Sequence, residues 1–193
     1  KQSYPEKAVM IPMDFLNNYL RYFSPEYLFA IGDQNGRHQV PGSGLLYRWE
    51  SIFLVVGLFT FFKRKKDLLF SVSIFLLFIA PLAAALTIPS PHALRSLLMV
   101  VPLTTIVALG IISVLSYFQK YKKSFLITSL LLGGAIFFEF LYLNHLYFQH
   151  YPKVNLLDWG GGYKETIQKA GEYRDYEIVI DSNMGNITPF IKF

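Results

Sequence analysis

The chain has no cysteine in its 193 residues. That removes disulfide staples, thiolate metal sites and cysteine nucleophiles together. Charge is scarce as well: 16% of the residues are Asp, Glu, Lys or Arg, against about 25% in an ordinary soluble domain. With 53% hydrophobic and 17% aromatic residues and a mean hydropathy of +0.35, the composition excludes disorder and argues against a water-soluble globule. No internal repeat, low-complexity tract or signal-peptide pattern is visible. The first residue is Lys1 rather than Met, so a piece of a longer protein is expected.

What charge there is sits in particular places. Residues 1–46 hold four bases and four acids, and residues 149–193 hold five bases and six acids. Residues 47–148 hold nine bases and three acids, and seven of those bases form two clusters, Lys63-Arg64-Lys65-Lys66 and Lys120, Lys122, Lys123. A nucleic-acid binder spreads its bases over one face. Here they punctuate apolar runs, so nucleic acid is not an expected partner and membrane lipid is.

The four apolar runs are residues 45–62, 68–88, 96–118 and 124–148. Each suffices to cross a hydrocarbon core of about 30 Å as a helix, and in lipid the backbone must satisfy its own hydrogen bonds. The fold class expected is mostly α, a polytopic bundle of four transmembrane helices, with kinks at Pro81 and Pro102. The positive-inside rule puts loops 63–67 and 119–123 in the cytoplasm, and residues 1–44, 89–95 and 149–193 outside, so both ends share the outer face. The membrane expected is the plasma membrane.

The outer segments differ in character. Residues 14–23, DFLNNYLRYF, cluster Phe15, Tyr19, Tyr22 and Phe23 at helical spacing, as in a helix lying in the interface. Residues 32–46, GDQNGRHQVPGSGLL, are loop, and hold a tight polar group: Asp33, Asn35, Arg37 and His38. In the tail, residues 158–162 are a break, 163–173 a helix and 177–181 (EIVID) a strand, the opening of a small α/β outer domain.

Two places here could carry chemistry. In the turn 89–95, PSPHALR, His92 and Arg95 stand three apart at the outer end of the third run. There a guanidinium fork and a helix N-terminus would suit a phosphate; the plain alternative is a snorkelling Arg and a turn-capping His. Glu139 lies well inside the fourth run, and an intramembrane carboxylate is a functional candidate by default. Arg48 and Glu50 read as interfacial charges. Four scattered histidines without cysteine show no metal-ligand spacing, and no Ser-His-Asp arrangement can be assembled. Neither a metal nor a cofactor is expected.

Taken together, NYLRYFSPEYLF leading into GDQNGRH, the turn PSPHALRS opening a helix, and GGGYKETIQKA before an apolar strand resemble bacterial membrane glycosyltransferases of the GT-C superfamily. The branch is that of the protein O-mannosyltransferases and the lipid A aminoarabinose transferase. The resemblance implies transfer of a sugar from a polyprenyl-phosphate donor to an acceptor on the outer face, with inversion. It implies that the chain is the later part of the membrane domain, partnered by missing N-terminal transmembrane helices. The catalytic Asp would lie in a first outer loop this sequence lacks, so no residue here is assigned as the catalytic base. It further implies that Arg95 and His92 meet the donor lipid phosphate, and that Asp33, Asn35, Arg37 and His38 roof the sugar or acceptor site. Two readings compete: a transporter or channel segment using Glu139 as an ion or proton site, and a non-catalytic membrane subunit.

Overall fold

The computed structural model describes residues 4–63, 68–156 and 158–172, and their side chains apart from those of residues 4–11 and 69. The described residues are mostly helical, with no strand among them. In order come α1 (Tyr4–Arg21), a π-turn (Glu26–Ala30), α2 (Glu50–Phe62), α3 (Leu68–Ala85), a 3-10 turn (Leu97–Met99), α4 (Val100–Gln119), α5 (Lys122–His145), a second π-turn (Leu146–His150), α6 (Tyr151–Val154) and α7 (Tyr163–Ala170).

Two stretches are long and apolar enough to cross a membrane: the helix Leu97–Gln119, and Lys122–Val154, in which α5 runs on through the π-turn into α6. The other two expected spans are apolar but shorter as helices. The first run loses residues 45–49 because the chain there is tied to the π-turn: Leu45 and Leu46 donate their N–H groups to the carbonyls of Tyr27 and Leu28, at 3.4 and 2.8 Å. The second run ends at Ala85, where the Thr87 hydroxyl donates to the Ala84 carbonyl at 2.8 Å. Pro81 is inside α3. Pro102 falls in the first turn of α4, where a missing N–H is tolerated.

The tightest helix pair is α2 with α4, and it is set by two glycines. A Cβ on Gly57 would stand 1.9 Å from the Ile106 carbonyl oxygen, and one on Gly110 the same 1.9 Å from that of Phe53. Each glycine therefore aims a Cα–H at a carbonyl of its partner helix, the close approach that small residues allow in membranes. Three residues on, the hydroxyls of Thr60 and Ser113 meet at 2.9 Å. The register Gly57–Gly110, then Thr60–Ser113, advances the same way on both helices, so α2 and α4 run parallel.

The aromatic helix does not simply lie apart in an interface. Asn18 donates to the Ala85 carbonyl at 3.4 Å and the Tyr19 hydroxyl to that of Phe78 at 3.0 Å, which docks α1 along α3. Tyr22 is wholly buried and Phe15, Tyr19 and Phe23 pack on the same core, while Met13, Leu16 and Leu20 stay exposed. The core also takes in Tyr27, Leu46, Met99 and Ile106. By contrast α5 leaves Leu130, Leu131, Phe137, Phe138 and Phe140 exposed. In the tail, Gly160 and Gly162 take φ of +72° and +85°, the break the glycine run foretells, before α7. The strand expected at 177–181 lies outside the described residues.

Candidate functional site

The site begins with the loop after the first π-turn. Asp33 follows Gly32 (φ +67°), and its Oδ1 accepts the Asn35 N–H at 2.9 Å. The Asn35 side chain in turn accepts the Arg37 N–H at 3.0 Å. These two local turns of the kind Asx residues favour bring His38 back over Asp33, with Nδ1 donating to Oδ2 at 3.0 Å. The same Oδ2 accepts the N–H of Ala93, 60 residues away, at 2.7 Å. The GDQNGRH loop and the PHALR turn, separate in the sequence, thus close on one buried carboxylate.

That closure brings in His92. Its Nδ1 lies 3.7 Å from Asp33 Oδ2, too far for a hydrogen bond, and has no hydrogen-bond partner although it is buried. The rings of His38 and His92 are 4.6 Å apart at 44°. Behind them the backbone is tied to the core: the His92 N–H donates to the Tyr22 hydroxyl at 2.9 Å. Ser96, fully buried, donates to the His92 carbonyl at 3.0 Å and meets the Tyr27 hydroxyl at 3.1 Å.

Burial alone would raise the Asp33 carboxyl; the N–H groups of Asn35 and Ala93 and the His38 ring outweigh it, and the carboxyl is held below its ordinary value. Burial pushes His92 below the usual imidazole value and Arg95 adds to the effect, against the opposing pull of Asp33. Burial and Arg95 thus disfavour a charged imidazole at His92, and no hydrogen bond joins its ring to Asp33.

The remaining sequence candidates are dispersed. Arg95 does not share a helix face with His92: both precede the first helical residue, His92 turned inward and Arg95 exposed, donating from Nη1 to the Thr87 hydroxyl at 2.6 Å. Arg37 donates to the Asp158 carbonyl, and Asn155 donates to that of Gly36 at 3.2 Å, so this side of the loop clasps the tail turn. Glu139 is 8% exposed and makes no hydrogen bond or ion pair with any described residue. It does have a cavity, of about 300 Å³, between α5 and the loop before α2, lined also by His38, Gln39 and Arg48. Arg48, read as an interfacial charge, donates to the Gly42 carbonyl at 3.0 Å and lies 5.4 Å from the Tyr142 ring centre. Sequence reasoning passed over Gln39, Tyr27 and Ser96, whose roles come from neighbours far along the chain. It also saw no metal-type grouping, yet Asp33, His38 and His92 each offer a ligand atom within 4.8 Å of the other two. No family model, curated protein or solved structure matches the chain.

Proposed function

We propose that the chain belongs to an integral-membrane glycosyltransferase that moves a sugar from a polyprenyl-phosphate donor to an acceptor on the outer face, with loops 63–67 and 119–123 on the cytoplasmic side. The observation that carries this reading is the bond from Ala93 N–H to Asp33 Oδ2 at 2.7 Å. It joins the two outer motifs that resemble the GT-C enzymes into one polar site, beside helices apolar enough for a bilayer. Arg95 is exposed at the edge of that site with a single hydroxyl partner, so its fork is available to a lipid phosphate. The cavity roofed by His38 and Gln39 suits a sugar or its acceptor, and the residues named here position and bind rather than act as base.

In such a transfer the departing lipid phosphate gathers negative charge, and a fixed cation beside it lowers the barrier by a few kcal/mol. Arg95→Ala is expected to slow transfer of labelled sugar from polyprenyl-phosphate donors by about 100-fold or more in membranes holding the full-length protein. A rate within twofold of the unaltered protein removes Arg95 from the phosphate site. Absence of any transfer by the unaltered protein removes the reading itself.

One observation favours the second reading: Glu139 is a buried carboxyl, without a partner, facing a cavity. For a proton or ion site, Glu139→Gln abolishes ion flux in proteoliposomes; for the transferase reading there is no flux to abolish.

A further inference from the structure

The orphan nitrogen of His92 is the feature the sugar-transfer reading leaves unused. A buried polar atom without a partner is rare and calls for an account. Here it faces a carboxylate oxygen that already accepts from a second imidazole and from the Ala93 N–H, and no group among the described residues satisfies the His92 nitrogen. A cation between them would.

We propose that Asp33, His38 and His92 form a binding site for a divalent d-block metal ion of the zinc type. Two imidazoles and one carboxylate with a fourth position open are a zinc donor set. The spacing agrees. Bonds of about 2.0 Å in a tetrahedron put neighbouring ligand atoms about 3.3 Å apart. The separations from Asp33 Oδ2 are 3.0 Å to His38 Nδ1 and 3.7 Å to His92 Nδ1, and all three ligand atoms lie within 4.8 Å of one another, so the two imidazoles would close toward each other to share one ion. Binding would move the His38 ring proton from Nδ1 to Nε2 and exchange its hydrogen bond to Asp33 for a metal bond; His92 would bind through the nitrogen that has no hydrogen-bond partner. The second layer is in place: backbone N–H groups of Asn35 and Ala93 aim the carboxylate, and Tyr22 and Ser96 hold the His92 backbone. Such outer partners orient ligands in metal sites. The ion would pin the outer loop to the turn before α4, and the open position would take water or a substrate oxygen, His38 also bordering the cavity.

The proposal stands apart from the sugar-transfer reading and is tested without activity. The chain is purified in detergent, stripped with EDTA, desalted and titrated with zinc chloride. About one ion per chain is expected, with a melting temperature raised by about 5 °C at 100-fold excess over Kd. His38→Ala and His92→Ala should each weaken binding at least tenfold. His145 and His150, whose Nε2 atoms lie 3.1 Å apart where α5 passes into the second π-turn, are the rival site, so the double variant His145→Ala/His150→Ala should bind as before. Should the His38 or His92 variants fail to fold, cobalt(II) in the unaltered chain decides, since a tetrahedral N/O site gives intense visible bands that zinc abolishes. No saturable zinc binding, binding lost with His145 and His150, or only the pale spectrum of octahedral cobalt overturns the proposal.

Discussion

Ser96 shows how much one small side chain carries. It is fully buried between the Tyr27 hydroxyl and the His92 carbonyl. Ser96→Ala leaves Tyr27 with a buried hydroxyl and no partner, and should cost about 1–3 kcal/mol, read from unfolding in detergent. Tyr27 itself gives a pH test. Burial raises its phenol far above the ordinary value of 10.0, the Ser96 bond opposing only in part. The folded protein therefore holds the proton more tightly than the unfolded chain. That stabilisation is complete below the unfolded value of about 10 and is lost as pH climbs from there toward the folded value. Thermal stability should fall more steeply between pH 9 and about 11 for the unaltered protein than for Tyr27→Phe; equal slopes would count against a buried, protonated Tyr27. Asp33 and His38 were legible as members of one polar group, with Asn35 and Arg37, because all four fall within six residues of one loop. His92 was assigned to the phosphate instead, since nothing local says that a turn 60 residues on will close over Asp33.

At the scale of elements, the pair of α2 and α4 depends on contacts that no side-chain movement can relieve. The atoms a Cβ would meet at Gly57 and Gly110 are backbone oxygens. Gly57→Ala and Gly110→Ala should each separate the helices and destabilise by about 1–3 kcal/mol. Gly133 and Gly134, in α5, have nothing within 4 Å of such a Cβ. There alanine adds helix propensity without a clash and should be neutral, or stabilising by up to about 1 kcal/mol. A thermal-unfolding series of the four variants checks the contrast; equal effects at all four would undo the packing argument. The apolar runs themselves were legible from composition. Their ends were not, because Leu45 and Leu46 answer to carbonyls of Tyr27 and Leu28 rather than to the helix they precede.

For the whole molecule, the exposed apolar faces of α5 need a non-aqueous neighbour, since patches of that extent are uncommon on soluble proteins. The proposed topology sets which polar ends share a compartment. The absence of cysteine from these 193 residues makes this simple to test by single introduced thiols. A membrane-impermeant maleimide should label Gln34→Cys in intact cells and leave Lys122→Cys untouched until the membrane is opened. Labelling of Lys122→Cys from outside inverts the orientation and takes the outer motifs away from any outer-leaflet donor.

Composition and the placement of basic clusters were enough to establish a helical, apolar chain and to pick out its polar loops, because hydropathy and charge are local properties, summed over twenty residues at a time. Tertiary structure alone decided that one carboxylate gathers two histidines from different loops, that Glu139 has a cavity to face, and that two glycines bring α2 against α4. Each is a contact between residues far apart in the chain, and the free energy of such a contact depends on a geometry that no local window contains.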